Sequence, residues 1–176
     1  MFEHWGEFYL LAGSAAAVLI GLIFVVISLM QNRSRSSVLA GSKLYMGPIV
    51  LGVSFVLVLS AAALTPGITR GQFAFVAGAV ALWGLFRGVW SFVGIRKLFS
   101  NREVHWTDPW FYGVIPSAIY LGLGVVAFAF WRGCPLAHYG VAAATTAILL
   151  CAIRNEWDLI TWIAPRPESK DEFGAQ

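Results

Sequence analysis

Residues 72–95 read QFAFVAGAVALWGLFRGVWSFVGI and carry one charged side chain, Arg87. An apolar run of about 18 residues or more is long enough to cross the ~30 Å hydrocarbon core of a bilayer as an α-helix. Four further stretches pass the same test or come near it. Phe8 to Met30 holds no charge. Leu44 to Leu64 ends at Thr65-Pro66-Gly67, a helix-stopping sequence. Pro109 to Trp131 follows Asp108, so Asp108 suits the N-cap and Pro109 the first helical position, where a missing N–H does no harm. The last apolar run, Tyr139 to Ile153, is short, so its helix is predicted to begin near His138 and to continue through Arg154-Asn155-Glu156-Trp157-Asp158.

Composition agrees with this reading. Hydrophobic residues make up 59% of the 176 and charged residues only 12%, against roughly 25% charged in a soluble domain. Mean hydropathy is +0.74. A soluble fold of this length could not hide so much apolar surface. The predicted fold is therefore an all-α membrane protein, a bundle of five transmembrane helices over about 8–30, 44–64, 72–95, 109–131 and 138–158. Residues 1–164 form a single transmembrane domain, and 165–176 are a polar tail expected to stay disordered. The first segment does not read as a cleavable signal, because its flank has two Glu and no Lys or Arg.

Orientation follows from the basic residues. Arg33, Arg35, Lys43, Arg96, Lys97, Arg102, Arg154, Arg166 and Lys170 fall on one side, and Arg70 and Arg132 on the other, with Arg87 left within the third span. Nine against two places the N-terminus outside and the C-terminus in the cytoplasm. Trp5, Tyr9, Trp131 and Tyr139 are expected in the outer aromatic belt, and Trp106, Trp110 and Tyr112 in the inner one. The expected location is the cell (inner) membrane of a bacterium or archaeon. The lipid bilayer is the first partner. The net charge of +3 is spread between apolar segments, so nucleic acid is not expected to bind.

Helices in lipid associate by close packing, which small residues permit. Gly13, Ala17 and Gly21 form such a row on the first helix, Gly84 and Gly88 on the third, Gly122 with Ala118 on the fourth, and Gly140 with Ala144 on the fifth. These rows serve either packing within the chain or contact between copies. Five short helices leave little interior, so a conduction path is expected between protomers of a homo-oligomer. Pro48 and Pro116 sit early in the second and fourth spans, a weak sign of a duplicated hairpin. Pro116 also removes the helical hydrogen bond to the Tyr112 carbonyl.

Few residues can carry chemistry. Arg87 lies ~22 Å along the third helix by helical rise. A charge there costs about 2–3 kcal/mol at mid-membrane and less near the edge. It is expected to pair with Glu156 or Asp158, or to serve a ligand or ion pathway with them. Arg154 and Asp158 are spaced to pair on their own helix. Glu103, His105 and Asp108 form a cytoplasmic cluster with acid–base potential, which a solvated loop and a helix cap explain equally well. His4 and His138, with Glu3 and Glu7 nearby, read as interfacial side chains rather than as a metal or haem site. Cys134 and Cys151 read as packing residues. No metalloprotease helix, nucleophile elbow, P-loop or dinucleotide fingerprint is present, and no metal or cofactor is expected.

The leading functional expectation is a small channel or transporter for an ion or small solute. The alternatives are a non-transporting regulator, assembly factor or subunit that binds other membrane proteins, and an intramembrane or lipid-modifying enzyme. The topology is directly testable. A reporter fused after Gln176 should read cytoplasmic, and a tag before Met1 should be reachable from outside intact cells. Both ends reporting one side would remove a span, the fifth first.

Overall fold

The computed structural model describes residues 2–29, 47–99 and 110–163. All regular structure among them is helical. A 3-10 turn, Glu3–Trp5, leads into α1, Gly6–Leu29. Next come α2, Gly47–Leu64, and α3, Arg70–Phe99. A π-helical turn, Trp110–Val114, runs into α4, Ile115–Trp131, and α5 is Ala137–Ile163. Five helices, α4 counted with its π turn, are long and apolar enough to cross a membrane. Their exteriors agree with that: Leu11, Phe24, Phe75, Leu82, Leu121 and Val125 are all exposed. Asp108 and Pro109 at the start of the fourth span, the Glu103, His105 and Asp108 cluster, and the tail from 165 lie outside the described residues.

The helices α2, α3, α4 and α5 form a closed ring, each packed on the next and α5 on α2. The α3–α4 contact is the most extensive. α1 stands outside the ring, mainly on α2 and more lightly on α5. Buried Val53, Val56 and Leu59 of α2, Ala77 of α3, Leu123 and Ala127 of α4, and Val141 and Ile148 of α5 belong to the core.

Aromatic rings close one end. Phe2 is buried, 4.7 Å from the Phe73 ring, stacked 5.6 Å from Phe130 and 5.4 Å from His138. Tyr9, read in the sequence as a belt residue, is fully buried beside Phe2 and Phe8. Trp131 and Tyr139 do stand exposed.

Both short connections have local causes. Thr69 caps α3: its hydroxyl accepts from the Gln72 N–H at 3.3 Å, while the Gln72 side-chain oxygen accepts from the Thr69 N–H at 2.9 Å. This reciprocal box satisfies two otherwise orphaned groups and starts α3 two residues before the apolar run. Gly67 turns the chain at φ 71°. After α4, Gly133 adopts φ 81°, the Cys134 N–H reaches the Ala129 carbonyl and the Gly133 N–H reaches Phe130. That pair of bonds is a Schellman cap, which needs a residue tolerant of positive φ.

The small residues divide into two groups. A Cβ on Gly84 would overlap the Tyr120 ring, and one on Gly88 would stand 2.6 Å from the Ser117 hydroxyl oxygen. On α1 the buried face is Tyr9, Ala12, Ala16 and Ile23, with Gly13 set against Ser60 of α2. Ala17 is exposed, and nothing lies within 4 Å of a Cβ at Gly21 or Gly122. The expected Gly13-Ala17-Gly21 seam therefore runs, within this chain, one step round the helix. A spacing of four defines a row but not the direction in which it points.

Gly84→Leu should lose about 1–3 kcal/mol of stability by overpacking, or fail to yield folded protein. Gly21→Leu should leave melting of the folded chain unchanged. Melting curves of the two variants in mild detergent check both; equal losses would contradict the ring packing.

Candidate functional site

Polar side chains gather at the end of the ring away from Phe2. Arg87 lies 14 residues beyond Phe73 on α3, ~21 Å by helical rise. It borders a cavity of about 40 Å³ between α2, α3, α4 and α5. Gly52, Arg87, Tyr112, Tyr120, Cys151 and Asn155 line it, with Pro48 and Pro116 also on its wall. The volume suits one or two water-sized groups. No residue of α1 lines it.

The Arg87 guanidinium has no carboxylate within 4 Å among the described residues, and its buried Nε has no hydrogen-bond partner. The side chain runs toward the start of α2, where its Nη2 would stand 3.2 Å from a Cβ on Gly47. A helix N-terminus carries partial positive charge, so this neighbour does not compensate the cation. The expected pair with Glu156 or Asp158 is not formed. Asp158 binds Arg154 instead at 2.8 Å, one helical turn away on the same helix. That geometry is available without crossing between helices, which is why it wins. Glu156 is buried, neither carboxylate oxygen has a partner among the described residues, and it does not line the cavity.

The cavity wall is held by a polar clamp between the π turn and α5. A π turn moves the backbone acceptor from i−4 to i−5, so the N–H missing at Pro116 leaves the Phe111 carbonyl without its helical donor. The expected orphan had been Tyr112. The Phe111 carbonyl accepts from the Asn155 amide at 3.2 Å and faces the Cys151 thiol at 3.8 Å. In return the Tyr112 hydroxyl donates to the Asn155 carbonyl at 3.2 Å. Tyr112 is therefore a buried tether rather than a belt residue. The Arg154 guanidinium lies over the Phe111 ring, 3.3 Å from its centre, a cation–π contact that anchors the same turn.

Tyr120 forms the cavity roof. Its ring packs on Gly84 and edge-on to Phe55 at 5.8 Å, and its hydroxyl reaches Gly52 of α2. Around the small cavity stand a half-buried cation, whose buried Nε has no partner among the described residues, and the phenol groups of Tyr112 and Tyr120, and no carboxylate is among the lining residues. Sequence reading singled out Arg87 but not Asn155 or Tyr120. Asn155 had a usable signal, an amide at the end of an otherwise apolar span.

Asn155→Leu should leave the part-buried Phe111 carbonyl with only the weak Cys151 thiol as a donor and cost about 1–3 kcal/mol. Tyr112→Phe should cost less, about 1 kcal/mol, and the two effects should not add. Unfolding free energies of both single variants and the double variant check this; strict additivity would contradict the clamp.

Comparison with protein-family models, curated protein sequences and solved structures found no match to this chain.

Proposed function

We propose that this chain is a small polytopic membrane protein that takes an anion, or the anionic group of a larger solute, into its four-helix ring at Arg87 and passes it across the bilayer. The observation that supports this most is the guanidinium itself, which borders an internal cavity with no carboxylate within 4 Å among the described residues. Charged residues within spans are costly and, where they face a cavity, mark solute or ion paths. With the orientation expected from the basic residues, the cavity faces the cytoplasm and the Phe2 cluster closes the outer end. The site lies inside one chain, so the pathway does not require a second copy. Passage requires the Phe2 plug to move, which makes the described state a closed one.

Iodide influx into proteoliposomes, read with an entrapped halide-quenched dye, tests this. The wild-type protein should exceed empty vesicles. Arg87→Gln should fall at least tenfold, and Arg87→Lys should fall less, because it keeps the charge but loses the planar fork. Wild-type flux equal to that of empty vesicles would end the transport reading.

A second reading has one observation in its favour. Ala17 and Gly21 form an open small-residue row on the outer face of α1, the kind of surface that admits another membrane helix. On that reading the protein is a membrane component that binds a further protein, or its own copy, through α1.

A further inference from the structure

A second concavity lies on the outside of the ring, between α3 and α4. It is a groove of about 790 Å³, almost wholly apolar. Its floor is made of small residues, Gly71, Ala74, Gly78 and Ala81 of α3 and Gly124 and Ala127 of α4. From Gly71 to Leu85 it runs ~21 Å along α3 by helical rise. Five helices that can span a membrane put this groove against hydrocarbon. Its chemistry therefore suits an acyl chain and offers nothing to a polar solute.

The groove and the Arg87 cavity share one wall residue, Tyr120. On one side its ring borders the cavity with Arg87; on the other it closes the lower end of the groove beside Leu85 and Ala81. The ring lies flat on Gly84, a position where any side chain would fill the space. Tyr120 thus stands between the cavity that Arg87 borders and a groove shaped for hydrocarbon.

We infer that the ligand of Arg87 is an anionic single-chain amphiphile, a long-chain carboxylate or its equivalent, whose acid group sits in the cavity while its tail lies in the α3–α4 groove, with Tyr120 as the gate between them. This rests on the reading of Arg87 as an anion site and specifies what carries the anion. Charge complementarity selects the head, and continuity through Tyr120 selects the tail. Access is lateral, from the membrane, so the Phe2 end need not open for binding.

The test is native mass spectrometry of the full chain in mild detergent, with palmitate, hexadecanol and iodide as probes. Wild-type protein should retain one palmitate per chain and bind hexadecanol at least tenfold more weakly. Arg87→Gln should lose palmitate at least tenfold. Gly78→Leu should do the same by filling the groove, and it should fold, because nothing lies within 4 Å of a Cβ there; it decides the matter if Arg87→Gln does not fold. Equal retention of acid and alcohol, or palmitate binding that survives Gly78→Leu, would overturn the inference. Iodide handling that depends on Arg87 without any palmitate binding would overturn the amphiphile and leave the anion site standing. Dependence of neither probe on Arg87 would remove both.

Discussion

At Gly84 and Gly88, α3 has no side chain to set against α4, which approaches until Tyr120 and Ser117 occupy the space a Cβ would need. Lipid offers no hydrophobic drive to bring helices together, so close backbone approach supplies the association energy instead. This contact sets the ring. It seats the Tyr120 ring inward, brings the π turn beside α5, and leaves Arg87, which lies between the two glycines in sequence, at the edge of the space so enclosed. α1 contributes to none of this and packs on the outside of α2 and α5.

The polar end of the ring follows from a second constraint. In a bilayer every buried backbone group must find a partner within the protein. Pro116 breaks that rule for one carbonyl, and the chain answers with Asn155, whose amide crosses from α5 to Phe111. The repair requires a side chain of a particular type at a particular depth, and it ties α4 to α5 where the cavity opens. Arg87 and Glu156 are the counter-example: among the described residues neither has an ion-pair partner, and the Arg87 Nε and both Glu156 carboxylate oxygens make no hydrogen bond. A half-buried cation with no carboxylate beside it among the described residues is held at a cost in desolvation.

Much of this was legible in the chain. Five apolar runs gave the helices, and Arg87 stood out because charges are rare in such runs. The GxxxG spacing on α3 located a close approach and could not name its partner. The row on α1 is used only in part within the chain, because small residues at every fourth position exist on more than one face: Gly13 packs on Ser60 and Ala12 and Ala16 are buried, whereas Ala17 and Gly21 are open. The capping box at Thr69 and Gln72 was present as a sequence signal and moved the start of α3 earlier than hydropathy alone suggests. The π turn was not legible, since it depends on how Pro116 is accommodated against α5. The pair of Asp158 with Arg154 was legible in their spacing of four, whereas shared depth alone suggested a contact with Arg87 that does not form.

The central claim is that Arg87 holds an anion inside the ring. Bromide-soaked crystals of the wild-type protein, measured at the bromine absorption edge, test it without any assumption about transport. The account predicts an anomalous peak within about 4 Å of the Arg87 guanidinium, a distance at which opposite charges interact directly, on the cavity side of Tyr120 and absent from Arg87→Gln crystals. A carboxylate of the chain bonded to Arg87, or a cavity filled by side chains with no peak, would contradict it.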